Sequence, residues 1–263
     1  MELMRKLTDL AAIIRDTTLR KQRAAQMRRS GAPDELPEPS VVFQDACAAI
    51  GRALAADGFR YAKRGPHLTR KAGDFTYRIS FQSSAHNVRG EYVAVWIHAN
   101  VLSKAIKAWR RRFEPQSSWD FVAGGQIGNL EPEPGWSEWN VADPKGRPAV
   151  IEDAVTGIRS TVLPFFARFA DRSSALNTLD QWPVPGLAIV PSIELALSYG
   201  DRVRAQALLE RFFVRYPDLL AEYHAKLDEY RRTGLPTYRD GGWAADLAKA
   251  TIQYELAPVS AAA

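Results

Sequence analysis

The sequence predicts an α+β protein in which an antiparallel meander sheet packs with helices. Apolar and polar residues alternate over residues 75–82 and 91–102, which is the period of a half-buried strand. Through most of residues 149–256 the apolar residues instead recur every three to four positions, which is the period of a helix. Strands that follow each other closely along the chain pair as antiparallel neighbours and form a meander sheet. The helices are then expected to pack on this sheet.

Composition indicates an ordinary globular protein of 263 residues, with 46% hydrophobic and 25% charged residues. The single cysteine, Cys47, excludes an internal disulfide and favours a reducing compartment. No stretch approaches the roughly 20 apolar residues of a membrane helix, and the amino terminus lacks the pattern of a secretory signal. We therefore predict a cytoplasmic protein with no membrane partner.

The net charge of +5 comes from the first 33 residues, which contain eight Lys or Arg and three Asp or Glu. These residues begin with apolar side chains at helical spacing, and a proline-rich stretch, residues 31–39, follows them. We predict three parts. They are a basic amphipathic helix or arm at 1–33, an α+β sheet domain at 40–148, and a helical segment at 149–256 that packs on the sheet domain.

The first helix of the predicted sheet domain follows the proline-rich stretch. Ser40 is a suitable N-cap, and Phe43, Cys47, Ile50 and Leu54 then recur on one face. Because Cys47 lies inside this apolar stripe, we expect it to be an inert core residue and not a nucleophile.

The remaining elements are predicted from the change of period along the chain. Predicted strands are residues 59–63, 75–82, 91–102, 119–130 and 136–141, and residues 103–113 have helical spacing. Later predicted helices are residues 150–170, 174–181, 192–199, 201–215 and 217–232. The first of these is expected to bend near Pro164, and Gly200 and Asp201 form a helix stop followed by a new N-cap.

Motifs for catalysis and for metal binding are missing from the sequence. The Gly124-Gly125 stretch lacks the Lys-Ser/Thr pair of a phosphate loop, and the four histidines lack the spacing of metal ligands. We predict no catalytic residue, no cofactor and no metal site, and hence a protein that is not an enzyme. An unrecognised hydrolase built around His67, His86 and His98 is one alternative.

A candidate partner-binding surface follows from the strand at 91–102. If its apolar residues face the core, its aromatic and polar residues lie together on the opposite face, beside polar residues of the strand at 75–82. The candidate residues are Arg78, Gln82, Tyr92, Trp96, His98 and Asn100. Such mixtures are typical of recognition surfaces. Alternatively, the carboxy-terminal helices cover this face and Trp96 is a core residue.

A nucleic-acid-associated function is the other alternative. It combines the aromatic face of the strand at 91–102 with the basic helix at 104–112 and the basic arm, and salt-sensitive phosphate contact requires these charges to share one side of the molecule. The candidate contacts are Arg15, Arg20, Lys21, Arg23, Lys104, Lys107, Arg110 and Arg111.

Several short stretches resemble domain-of-unknown-function family 4304, an uncharacterised bacterial family. They are LAADGFR at 54–60, FTYRISFQS at 75–83, YVAVWIHANV at 92–101, QIGNL at 126–130, WSEWNV at 136–141 and LALSYGDRVRAQALL at 195–209. The resemblance covers residues 45–215. Gln126 stands where we expect Arg in the family, and the basic arm is an addition. The resemblance implies helices around an antiparallel sheet and no catalytic residue to carry over.

The resemblance also implies a small bacterial accessory protein, and domains of this kind commonly bind one protein partner. We therefore predict a non-enzymatic protein that binds another protein stoichiometrically. The sharpest form of this prediction is an immunity protein that neutralises a bacterial toxin by occluding the active site of the toxin or effector domain. Because the body of the chain is neutral and the arm is basic, we expect a target that is not a strongly basic nuclease.

Overall fold

The computed structural model of this protein describes residues 36–236 and 242–260. Within these residues the chain is an α+β protein with an antiparallel meander sheet, which confirms the predicted fold class. The basic helix predicted at residues 1–33 lies outside the described residues. Among the helices that are described, none is both long enough and apolar enough to cross a membrane.

The described strands form one antiparallel sheet. They are β1 (Arg60–Ala62), β2 (His67–Ala72), β3 (Phe75–Ser83), β4 (Ala94–Ser103), β5 (Phe121–Gln126) and β6 (Trp139–Asn140). The order β1-β2-β3-β4-β5 follows the chain, and β6 pairs with the start of β4 beyond the end of β5. β3 and β4 form the centre of the sheet, with a register that runs from Phe75 opposite Ser103 to Ser83 opposite Val95.

The helices come before, between and after the strands. They are α1 (Pro39–Ala53), α2 (Lys104–Arg110), α3 (Arg147–Gly157), α4 (Leu163–Ala167), α5 (Arg172–Asp180), α6 (Ile189–Ser198), α7 (Arg202–Arg215), α8 (Leu220–Thr233) and α9 (Trp243–Gln253). Asp201 is the N-cap of α7 as predicted, since its carboxylate accepts the backbone N–H of Arg204. Ser103 caps α2 in the same way.

One hydrophobic cluster of described residues joins α1, the sheet and the carboxy-terminal helices. Tyr77 of β3 stacks on Phe166 of α4, with ring centroids 4.6 Å apart and planes 6° apart. Phe75 contacts Phe169 edge to face. Cys47 of α1 lies in the same cluster, and burial raises the pKa of its thiol to about 12, so the thiol stays protonated and inert.

The strand β2 has no counterpart among the predicted elements, because its sequence does not alternate. Leu68 is its one buried residue. Arg70 occupies the next position on the helix-covered face, where its guanidinium lies 4.8 Å from the ring centre of Phe59 and 5.1 Å from that of Tyr77. A cationic side chain thus covers apolar rings at a position where the alternation rule expects an apolar residue.

Boundaries near proline also differ from the predicted ones. α1 begins at Pro39 with Glu38 as its N-cap, so the predicted cap Ser40 lies inside the first turn. Proline is well suited to the first helical position, because the missing N–H would have no partner there. The helix predicted at 150–170 is divided by a π-helical turn, Ile158–Val162, just before Pro164.

Two further differences concern the ends of the sheet and of the chain. The strand predicted at 119–130 ends at Gln126 and continues as a 3-10 turn, and the one predicted at 136–141 pairs over only two residues. α9 has no predicted counterpart. Its buried face consists largely of alanines, which give a weak periodic signal in the sequence.

Candidate functional site

The helices cover one face of the sheet, and we call the opposite face the open face. It carries Arg60, His67, Thr69, Lys71, Thr76, Arg78, Ser80, Gln82, Trp96, His98 and Asn100. These side chains share one side because the alternate residues, such as Ile79 and Ile97, are buried against the helices. No helix within residues 36–236 and 242–260 makes a hydrogen bond, ion pair or ring contact with them.

Aromatic side chains form one corner of the open face. Trp96 lies edge to face against Trp136, with ring centroids 5.3 Å apart. Glu138 accepts two hydrogen bonds there, from the indole N–H of Trp96 at 3.2 Å and from the hydroxyl of Tyr92 at 3.0 Å. Trp136 is nevertheless 58% exposed. We call Tyr92, Trp96, Trp136 and Glu138 the aromatic corner. Its rings are held in place by these contacts, while much of the apolar surface of Trp136 faces solvent.

The rest of the open face is positively charged. The six described strands contain no Asp or Glu, and Arg60, Lys71 and Arg78 lie on the open face without an ion pair to any described residue. Arg60 is opposite Thr69, Thr69 is opposite Arg78, and Arg78 is opposite Asn100. Two guanidinium groups therefore stand on one line across the sheet, and this surface attracts negatively charged groups.

His98 lies between the aromatic corner and the charged part of the open face. Its register neighbours are Ser80 on β3 and Gln126 on β5, and its ring centroid is 6.4 Å from that of Trp136. Its Nε2 atom is buried and has no hydrogen-bond partner among the described residues. Burial lowers the pKa of the imidazole, so His98 is neutral at pH 7.

The structure brings together the residues of the predicted partner-binding surface. Gln82 is directly opposite Trp96, and Arg78 is directly opposite Asn100. Tyr92 precedes β4 and reaches the aromatic corner through its hydrogen bond to Glu138. The described carboxy-terminal helices pack on the other face of the sheet, so the alternative in which they cover Trp96 is wrong.

Sequence reasoning missed Trp136 and Glu138. These residues lie about 40 positions after Trp96, and the pairing of β6 with β4 brings them back to the open face. The available signal was the Trp-Ser-Glu-Trp stretch at 136–139, which predicts a strand but does not indicate which strand it joins.

Of the described residues predicted for nucleic-acid binding, Arg110 does not belong to the surface. Arg110 is buried and donates to the Glu194 carboxylate through Nε at 3.0 Å and Nη2 at 2.5 Å, so its prediction as a phosphate contact is wrong. Arg111 and Lys104 are exposed, and Lys107 is partly buried. The arm residues Arg15, Arg20, Lys21 and Arg23 lie outside the described residues.

The histidines of the hydrolase alternative do not form a hydrogen-bonded catalytic group among the described residues. His67 on β2 and His98 on β4 both lie directly opposite Ser80 of β3, but neither imidazole makes a hydrogen bond to its hydroxyl, and His86 lies in the loop after β3. Ser84 accepts the backbone N–H of His86 and has no bond to the imidazole ring. The described residues contain no group of three or more His, Cys, Asp or Glu that could hold a metal ion.

No protein-family model, no curated protein and no solved structure matches this chain. The resemblance to domain-of-unknown-function family 4304 therefore stays a prediction. Function is inferred from the geometry and the charge of the open face.

Proposed function

We propose that this protein binds one other protein in a stoichiometric complex and that the open face is its contact surface. The aromatic corner is the observation that carries the proposal, because Trp136 is 58% exposed and yet held against Trp96. Rings that are already ordered add contact area at a low cost in conformational entropy. Trp, Tyr and Arg, all present on this face, are the residue types enriched at binding hot spots.

The dimensions of the open face suit a protein interface. Five neighbouring strands about 4.8 Å apart and a central strand at about 3.3 Å per residue give a surface of roughly 20 by 30 Å. Standard protein complexes bury about 800 Å² on each partner, so the open face supplies most of such a contact. The cations Arg60, Lys71 and Arg78 favour a partner with an acidic surface, which they would also attract during the encounter.

A protein suits this face better than a nucleic acid. The Glu138 carboxylate lies within hydrogen-bond distance of Trp96 and Tyr92, so negative charge stands beside the rings on which bases would stack. A phosphate backbone is repelled there, whereas the N–H groups of a protein can donate to the carboxylate. Burial of Arg110 also removes one of the central charges of the basic helix.

The sharpest form of this function is that of an immunity protein. It would act in the cytoplasm, where its single cysteine suits the reducing environment, and it would occlude the active site of a toxin or effector domain. The positive open face favours an acidic target over a strongly basic nuclease.

The test begins with affinity purification of the tagged full-length protein from its native host after nuclease treatment, with mass spectrometry of the proteins that co-elute. The recombinant candidate partner is then titrated by calorimetry. We expect a 1:1 complex, and we expect Trp136→Ala and Arg78→Glu each to weaken it at least about tenfold. Trp243→Ala is the matched control, because Trp243 is also 58% exposed but lies away from the open face.

Loss of the complex in the two open-face variants, with full binding in the control, would support the proposal. A partner that binds all these proteins equally would exclude the open face as its contact surface. Recovery of nucleic acid alone from untreated lysate, with release by moderate salt, would replace the proposal by the nucleic-acid alternative.

A further inference from the structure

A cleft among the helices shares no residue with the open face. It lies between α6, α7, the start of α9 and the segment that leads into β5, and it encloses about 340 Å³. Its aromatic lining consists of Trp119, Phe121, Trp182, Phe212, Tyr216 and Trp243. We call it the aromatic cleft. Cavities of about 300–1,000 Å³ with mostly apolar walls and a few polar groups are the usual form of small-molecule sites.

One wall of the aromatic cleft is a continuous set of packed rings. The ring centroid of Phe212 lies 5.9 Å from Trp182, 4.9 Å from Tyr216 and 5.9 Å from Trp243. Trp243 and Tyr216 contact each other at 5.4 Å. Trp182 and Phe212 are buried while Trp243 is 58% exposed, so the wall extends from the interior to the surface. Because the rings support one another, this wall is formed before any ligand arrives.

The other end of the aromatic cleft is polar, and its buried charges form an ion pair. Arg110 donates through Nε and Nη2 to Glu194, and through Nη1 to the carbonyls of Trp119 at 3.2 Å and Phe121 at 3.0 Å. Glu194 also accepts the hydroxyl of Tyr254 at 2.7 Å. Since Nη2 carries two N–H groups and uses one, the second is left without a partner among the described residues.

A second cavity of about 230 Å³ continues from this polar end. The residues that line both cavities are Arg110, Trp119, Val190 and Asp246. Lys249 lines the second cavity and is paired with Glu114 at 3.2 Å. The two cavities together therefore offer an aromatic part and a polar part on either side of Arg110.

We propose that the aromatic cleft binds an uncharged, planar aromatic molecule that presents an oxygen acceptor to Arg110. Flat rings are favoured because the walls offer both ring faces and ring edges. A negatively charged ligand is disfavoured, because Arg110 is already neutralised by Glu194 and the carboxylate of Asp246 also lines the cleft. A ring system of about two fused rings suits a cavity near the lower end of the usual range.

Coumarin is a suitable probe, because it is an uncharged fused bicycle with a carbonyl acceptor. It is titrated into the full-length protein near neutral pH and followed by ligand-observed NMR. We expect a dissociation constant on the order of 0.1–1 mM, which is typical of so small a ligand. Coumarin-3-carboxylate has the same bicycle with a negative charge, and we expect it to bind at least about tenfold more weakly.

Two cleft variants and a matched control localise the binding. Trp243→Ala removes the exposed end of the aromatic wall and should weaken coumarin binding about tenfold. Ala188→Trp places a large ring in the cleft from an exposed position and should abolish binding, while the backbone carbonyl that begins α6 is unchanged. Trp136→Ala removes an equally exposed tryptophan from the open face and should bind coumarin like the wild-type protein.

No detectable binding to the wild-type protein would overturn the proposal. So would binding that both cleft variants retain, or tighter binding of the carboxylate than of coumarin. Circular dichroism establishes that each variant is folded before it is titrated. Trp136→Ala changes only the open face, and Trp243→Ala changes only the aromatic cleft. Failure of this proposal is therefore distinguishable from failure of the partner-binding proposal.

Discussion

At the scale of single residues, Gly124 determines how closely β5 approaches β4. Its φ is 146°, and a Cβ at this position would lie 2.1 Å from the carbonyl oxygen of Ala99. It is paired with Asn100 of the open face, so its lack of a side chain sets the position of β5 beside the proposed contact surface. Gly125 is different, because the nearest atom to its Cβ would be 3.9 Å away, on Asn129.

We therefore expect Gly124→Ala to lower the free energy of unfolding by at least about 2 kcal/mol, through backbone strain and the clash with Ala99. Gly125→Ala is the neighbouring control and should change stability by less than about 1 kcal/mol. Urea denaturation of both variants measures the difference. Equal effects of the two substitutions would show that the close approach at Gly124 does not limit stability.

At the scale of secondary-structure elements, a buried ion pair joins two helices, and its arginine also binds the start of a strand. Arg110 belongs to α2 and Glu194 to α6, 84 positions apart. The same guanidinium reaches the carbonyls of Trp119 and Phe121 where β5 begins, and Tyr254 adds a hydrogen bond from the end of α9. Four segments are thus joined at one point, which also forms the polar end of the aromatic cleft.

Arg110→Met should lower the free energy of unfolding by about 3–5 kcal/mol, because it leaves the Glu194 carboxylate buried without its counter-charge. Adding Glu194→Leu should recover part of the loss, since the double variant has no buried charge at this point. Arg111→Met changes an exposed neighbour and should cost less than about 0.5 kcal/mol. Chemical denaturation of the variants tests this, and a loss for Arg110→Met no larger than for Arg111→Met would contradict it.

At the scale of the whole molecule, the sheet and the carboxy-terminal helices share one hydrophobic cluster. The stacked pair of Tyr77 and Phe166 lies at their contact, and the Tyr77 hydroxyl donates to the carbonyl of Phe169 at 2.8 Å. The sequence predicts two parts, at 40–148 and 149–256. If one part unfolded alone, the other would expose its side of this contact to water and would lose a large part of its core. The two parts are therefore expected to unfold together.

In urea, far-UV circular dichroism and tryptophan fluorescence should report one coincident transition. Phe166→Ala should shift that transition as a whole and lower the free energy of unfolding by about 3–5 kcal/mol, as deletion of a buried aromatic ring does. Two separated transitions, or a Phe166→Ala variant in which only one signal shifts, would show that the two parts are independent domains.

The sequence by itself determined those features that depend on neighbours along the chain. Alternation over residues 75–82 and 91–102 identified β3 and β4 and the residues that share each face. Helical spacing identified most of the carboxy-terminal helices, and Asp201 marked the start of α7. Such features are local, because the period of a strand or helix and the cap of a helix depend on residues only a few positions apart.

Tertiary structure alone decided which face of the sheet the helices cover, and hence that Trp96 lies on the open face. It also brought Trp136 and Glu138 to Trp96, buried Arg110 against Glu194, and formed the aromatic cleft. Each of these depends on contacts between residues that are tens of positions apart. Packing at that distance follows from how whole elements bury their apolar faces together, and it leaves no periodic signal in the sequence.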